Sequence, residues 1–232
     1  MISNSKSVQQ PKQIDLSKRP FLKIFYDISY WFQRTFQKKK LFRKVAIHES
    51  GHIVFSYFYG FSVRQSRLLI NQPGNGFTEI VYGKEAVTAN IIMNNWIEDF
   101  HQQNPAGQKH IYRIAFHLMV IHYAGSSGEA FLKRKPSVKN YNLQISGEDL
   151  FVIDIIETFL TMTGFSVDNS IVAKNTFNLY EQFPIFKESI LALTKKFLKA
   201  DNLSLTQKDI EDTLRTVNFF DIREKIIDAN SN

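Results

Sequence analysis

Val45-Ala46-Ile47-His48-Glu49-Ser50-Gly51-His52-Ile53-Val54-Phe55 is the stretch that decides how this 232-residue chain is read. It holds an H-E-x-x-H motif, His48 to His52, inside an apolar run without proline. Side chains four apart on an α-helix lie one above the other on the same face. Two imidazoles so placed can hold one Zn²⁺, and Glu49 projects near enough to take a proton from a water on that metal. The pattern is short, so its surroundings have to support it. They do: the flanking residues suit a helix from about Leu41 to Tyr59, with Gly60 as its C-terminal cap.

Composition narrows the ligand set. The chain has no Cys, which excludes disulfides and thiolate metal sites, so a zinc ion here must be held by His and carboxylates. A hydrophobic fraction of 44% with 21 Phe is enough for one sizeable core. No apolar run approaches the length needed to span a bilayer, and the N-terminus lacks the apolar core of a signal peptide. The expectation is a cytoplasmic protein, any membrane contact being peripheral. The 29 Lys plus Arg exceed the 22 Asp plus Glu, and part of the excess sits in Lys18-Arg19, Lys38-Lys39-Lys40 and Arg43-Lys44. No nucleic-acid motif accompanies it, so the charge reads as a solvated basic face, and no nucleic-acid partner is expected.

The spacing around the motif predicts a mainly α (α+β) fold. Residues 1–19 are polar and read as a disordered tail. Residues 20–40 read as a basic amphipathic helix, with Phe21, Ile24, Phe25, Ile28, Trp31, Phe32 and Phe36 recurring at spacings of three and four. That stripe can pack on the domain, lie on a membrane surface or meet a partner protein. Ser62 to Ile70 and Phe77 to Tyr82 alternate as strands around the turn-rich Asn71–Gly76, a β-hairpin next to the motif helix. Helices follow at about 85–100, 109–132, 147–164, 168–182, 185–200 and 206–217, with a basic loop from Lys133 to Gln144. The domain is expected over 41–220, and 221–232 as a C-terminal tail.

A catalytic zinc needs a third protein ligand and an open position. Spacing alone does not choose it. His101, His110, His117 and His122 each read as a satisfied buried or surface histidine. Ser146-x-x-Asp149 reads as the N-terminal capping box of the helix that follows.

The order of several segments resembles the peptidase domain of the FtsH-type AAA+ zinc metalloproteases. Val45-Ala46-Ile47-His48-Glu49-Ser50-Gly51-His52 looks like that family's V-A-x-H-E-A-G-H helix. Val63 to Gly83, through Gly76-Phe77-Thr78, resembles its hairpin with a G-Y-T-like strand. Ala124-Gly125-Ser126-Ser127-Gly128-Glu129 resembles its G-G-R-A-A-E helix, without the Arg. Ser146-Gly147-Glu148-Asp149-Leu150 resembles its G-A-x-N-D-L segment, and Leu205 to Leu214 its closing helix. The likeness covers roughly 40–218. It implies Asp149 as third zinc ligand, with Glu129 as rival ligand or as outer partner of a ligand His. His48, His52 and Asp149 would then hold Zn²⁺, with Glu49 as base.

The resemblance implies a zinc-dependent metalloendopeptidase whose substrate is unfolded or flexible polypeptide. The chain carries no G-x-x-x-x-G-K-[ST] phosphate loop, so peptide cleavage is expected to be independent of ATP. The substrate is expected to lie along an edge strand of the 62–82 hairpin. A non-catalytic zinc-binding interaction module is the alternative, since the helix motif is altered. The family also implies possible homo-oligomers, without its ATPase ring here.

Overall fold

The computed structural model describes residues 20–72, 74–133 and 145–229, with side chains described from residue 35 onward. The tail at 1–19, most of the basic loop and the side chains of the apolar stripe over 21–34 lie outside this description. The fold is mainly helical with one small antiparallel sheet. Compact units divide after Lys40, and the second unit, Leu41–Asn232, carries the features below.

Helix α1, Pro20–Phe58, is continuous, where two segments meeting near residue 40 were expected. No proline or glycine interrupts the junction, and Lys38 to Leu41 are good helix formers. Its motif half is buried nearly all round, including Val45, Ala46, Ile53, Val54 and Phe55. Gly60 ends it at φ 86°. Phe61 N–H donates to Ser56 O (2.9 Å) and Gly60 N–H to Tyr57 O (3.2 Å), the paired bonds of a Schellman stop.

Strands β1, Ser62–Leu68, and β2, Gly76–Val81, form the expected hairpin, in register Leu68↔Gly76 and Ser66↔Thr78. A third strand that the sequence did not announce, β3, Ser204–Thr206, pairs with β1 through Ser66↔Leu205. Three residues are too few to show period-two alternation. The sheet order β2-β1-β3 leaves β2 at an edge.

The helix expected over 85–100 is interrupted. A 3₁₀ turn, Gly83–Glu85, leads into α2, Ala86–Met93, and the short α3, Ile97–His101. Asn95, at φ 53°, makes the break; Asn tolerates the left-handed region better than most residues. Helix α4, Pro105–Leu132, starts earlier than periodicity suggested, because Asn104 caps Gly107 N–H at 2.9 Å and Pro105 takes the first helical position. Leu118 to Ala124 are buried on every face but His122, so α4 is the central helix of the core.

Helices α5, Gly147–Met162, α6, Asn169–Gln182, α7, Pro184–Lys199, and α8, Gln207–Thr216, match the expected segments within two residues. Thr206 and Asp209 form a reciprocal capping box on α8. The expected tail at 221–232 is corrected: most of it is helix α9, Phe219–Ala229, anchored by the fully buried Phe219. Phe55, Tyr180 and Phe186 meet at centroid distances near 5 Å (5.0 and 4.9 Å from Phe55) and join α1, α6 and α7. Each buried ring of this size contributes about 2–3 kcal/mol through removal from water. No helix among the described residues is long and apolar enough to cross a membrane.

Candidate metal centre

Helix α1 presents His48 and His52 one turn apart, with ring centroids 4.7 Å apart. Asp149, in the first turn of α5, reaches both. His48 Nε2 lies 3.0 Å from Asp149 Oδ2 and His52 Nε2 lies 3.4 Å from Asp149 Oδ1. All three residues are buried, and their ligand atoms lie within 4.8 Å of one another. Tetrahedral zinc with bonds of about 2.0–2.1 Å holds its donor atoms about 3.3 Å apart. Two imidazole nitrogens and a carboxylate at these separations therefore fit a zinc-like divalent ion, in a chain that has no thiolate to offer.

The outer nitrogens set the imidazole orientation. His52 Nδ1 donates to Ile121 O at 2.8 Å, and His48 Nδ1 donates to Glu129 Oε1 at 3.1 Å. Both partners only accept, so Nδ1 carries the proton and Nε2 faces the cluster. Glu129 thus stands on the outer side of His48, beside Lys44 (3.4 Å) and Lys133 (3.3 Å), and outside the three-residue cluster.

Asp149 does two jobs that the sequence presented as alternatives. Its backbone N–H donates to Ser146 Oγ at 3.1 Å, so Ser146 caps α5. Its side chain does not complete a capping box. It turns to the imidazoles and accepts from Ser146 Oγ at 2.7 Å.

Two glycines make the approach possible. A Cβ on Gly51 would stand 2.6 Å from Ala124 O, so α1 crosses α4 at a distance that only glycine allows. A Cβ on Gly125 would stand 2.7 Å from His48 Cε1 and 2.7 Å from His52 Nε2. On α4, His122, Gly125 and Glu129 recur at spacings of three and four and, with the carbonyl of Ile121, face the site.

Glu49 sits on the sheet side. Thr78 Oγ1 donates to Glu49 Oε2 at 2.6 Å and lies 2.7 Å from Ser66 Oγ. A Cβ at Gly76 would overlap the Glu49 carboxylate, so the first residue of β2 must be glycine for Glu49 to rest there. The centre opens into a cavity of about 740 Å³ with Leu69, Phe77, Ile80, Ile145 and Val152 in its walls.

The electrostatics are those of a desolvated charge cluster. Burial lowers the His48 pKa, but hydrogen bonds to the carboxylates of Asp149 and Glu129 outweigh it and raise it to about 10. Burial likewise opposes His52, which Asp149 holds up. Burial raises Asp149, yet His52, His122 and His48 hold its carboxyl far below the usual range. Burial pushes Glu49 up against the pull of both histidines. Glu129 is held down by His48 and the two lysines despite burial.

His48, Glu49, His52 and Asp149 all meet here. His101, His110 and His117 do not: His110 pairs with Glu85 at 2.7 Å and His117 stacks on Tyr59 at 4.1 Å. His122 is the residue that sequence reading passed over. Its Nδ1 donates to Asp149 Oδ1 at 2.9 Å. The signal was its place on α4, three residues before Gly125 and seven before Glu129. The chain matches no protein-family model, and no curated protein matches it at a significant level.

Proposed function

We propose that this chain is a zinc-dependent metalloendopeptidase that hydrolyses peptide bonds of unfolded or flexible polypeptides without ATP. The observation that carries the reading is the meeting of His48, His52 and Asp149 with the buried carboxylate of Glu49, in one cavity beside an open sheet edge. The ordered resemblance to the FtsH-type peptidase domain supports it. Zinc, held by His48, His52 and Asp149, would supply Lewis acidity toward water and the peptide carbonyl.

The residues of the chain do the remaining work. Glu49 takes a proton from the attacking water as the oxygen–carbon bond forms, and delivers it to the leaving amine as the carbon–nitrogen bond breaks. Thr78 holds Oε2 of Glu49 and leaves Oε1 to act. Edge strand β2 offers backbone groups for an extended peptide to add as a strand. Leu69, Phe77, Ile80 and Val152 give apolar walls for its side chains.

The test pairs zinc content with cleavage of an unfolded protein, in wild type and Glu49→Gln. The expected result is zinc in both and cleavage lowered by about 100-fold or more in the variant. Zinc in both with no cleavage by wild type would make the chain a non-catalytic zinc-binding module. No zinc in either would sink both readings.

A further inference from the structure

We propose that His122 is a positioning residue that locks the carboxylate of Asp149 for metal binding; this rests on the metal-centre reading above. The torsion that rotates a carboxylate about its own axis is soft. Asp149 stands in the first turn of α5, a different helix from the one that carries His48 and His52. Its orientation has to come from hydrogen bonds. Ser146 Oγ holds Oδ2 at 2.7 Å from within α5's own cap. His122 Nδ1 holds Oδ1 at 2.9 Å from α4. Apart from the two candidate ligand imidazoles, Ser146 and His122 thus put one donor on each oxygen, and together they fix the carboxylate plane.

The pattern on α4 shows why this differs from a buried histidine that happens to be satisfied. Each of the three candidate ligands has a partner on that one helix. Ile121 O takes the proton of His52, Glu129 takes that of His48, and His122 gives one to Asp149. The two histidines receive acceptors and the aspartate receives a donor, as each needs in order to turn its free lone pairs inward. His122 is half of an inter-helix bond, is 15% exposed at its side chain and borders the cavity. Its ring lies 5.9 Å from that of His52.

The experiment measures Zn²⁺ affinity by chelator competition and the visible absorption of the Co²⁺-substituted protein, for wild type, His122→Leu, His122→Asn and His122→Gln. Asn carries its amide donor near the position of Nδ1, whereas Gln carries it one bond further out. Leu and Gln are expected to weaken Zn²⁺ binding by about 10- to 100-fold and to alter the cobalt bands. Asn is expected to restore both to near wild type. Gln and Asn are both polar and of similar size, so that comparison stands even if His122→Leu fails to fold. Wild-type affinity and cobalt spectrum in the Gln variant would overturn the proposal, as would an Asn variant no better than Gln. Asp149→Asn, run in parallel, separates the two levels. If Asp149→Asn loses the metal while the Gln variant keeps it, the role of His122 alone is refuted. If wild type takes up neither ion, the metal centre itself is refuted and this role with it.

Discussion

Gly125→Ala is a one-carbon change that the fold and the metal centre answer in opposite directions. In the interior of α4, alanine is a better helix former than glycine by about 1 kcal/mol. At this position, though, the new Cβ would stand 2.7 Å from His48 Cε1, 2.7 Å from His52 Nε2 and 2.8 Å from His48 Nε2. The closest of these falls about 0.7 Å short of the 3.4 Å at which ordinary contact begins. Metal–ligand distances tolerate about 0.2 Å. Both imidazoles would have to move by several times that margin, and each is tied on its far side, to Glu129 and to Ile121 O. Loss of a single outer partner already costs about 10- to 100-fold in metal affinity, so displacement of both rings should cost at least about 100-fold. The assay is Zn²⁺ competition against a chelator of known affinity, with the thermal melt of the chelated protein alongside. The expected outcome is loss of zinc with a cooperative melt retained. Gly128→Ala is the control on the same helix. Its Cβ would meet Tyr180 Oη at 3.1 Å and Ile190 Cδ1 at 3.3 Å, away from the imidazoles, and zinc binding should survive. Wild-type zinc affinity in Gly125→Ala would refute the claim that both rings close over Gly125.

Asp149→Asn should abolish zinc binding, whereas Glu129→Gln should weaken it by about 10- to 100-fold, as loss of an outer partner does; equal effects in metal titrations would mean that Glu129 is itself a ligand. Peptides methylated at the backbone nitrogens that pair with β2 should show KM raised about 30-fold for two lost bonds of about 1 kcal/mol each; unchanged KM would refute strand addition. His117 gives a pH prediction remote from the centre. Burial, with Arg113 and His110 nearby, lowers its pKa from 6.5 to about 4. The unfolded chain protonates first, so this residue removes stability as pH falls from about 6.5 through 4. The ceiling is about 3 kcal/mol before solvent screening. His117→Phe keeps a ring against Tyr59 and should lose less stability than wild type between pH 7 and pH 4 in urea melts; identical losses would refute the assignment.

The helices were legible because their apolar spacing is long and regular, as in α4 to α7, and the hairpin because Asn71 to Gly76 is dense in turn formers. What escaped is local or borrowed from neighbours. β3 is three residues long, and its pairing with β1 depends on the path of α7 and α8. The break at Asn95 rests on one left-handed residue that nothing marks in a helical pattern. Residues 221–229 looked like tail because the helix that carries them is anchored by Phe219, whose burial depends on the core it enters. In the centre, His48, Glu49 and His52 follow from i, i+4 geometry, since one helix carries them. As a site residue Asp149 was legible only by resemblance, because its imidazole neighbours are 101 positions away at His48 and 27 at His122. Thr78 was marked only as part of the G-Y-T-like strand and the Ile121 carbonyl not at all: a threonine in a strand and a backbone oxygen become site groups only when the helices and sheet meet.

The two glycines carry the last step from fold to site. Helix interiors disfavour glycine by about 1 kcal/mol each relative to alanine, so Gly51 and Gly125 together cost the fold about 2 kcal/mol. An apolar core would be served as well by a wider crossing filled with alanine or valine. Here the narrow crossing brings Ala124 O against the backbone of α1 at Gly51, and at the very next residue it sets the histidine rings over Gly125. The helix-crossing distance therefore fixes where Ile121 O, His122 and Glu129 stand relative to His48, His52 and Asp149. Larger residues at Gly51 and Gly125 would force this crossing open and pull the cluster apart. The buried histidine–carboxylate cluster and its glycine-lined crossing are arranged together, and the arrangement makes sense if the cluster exists to hold a cation.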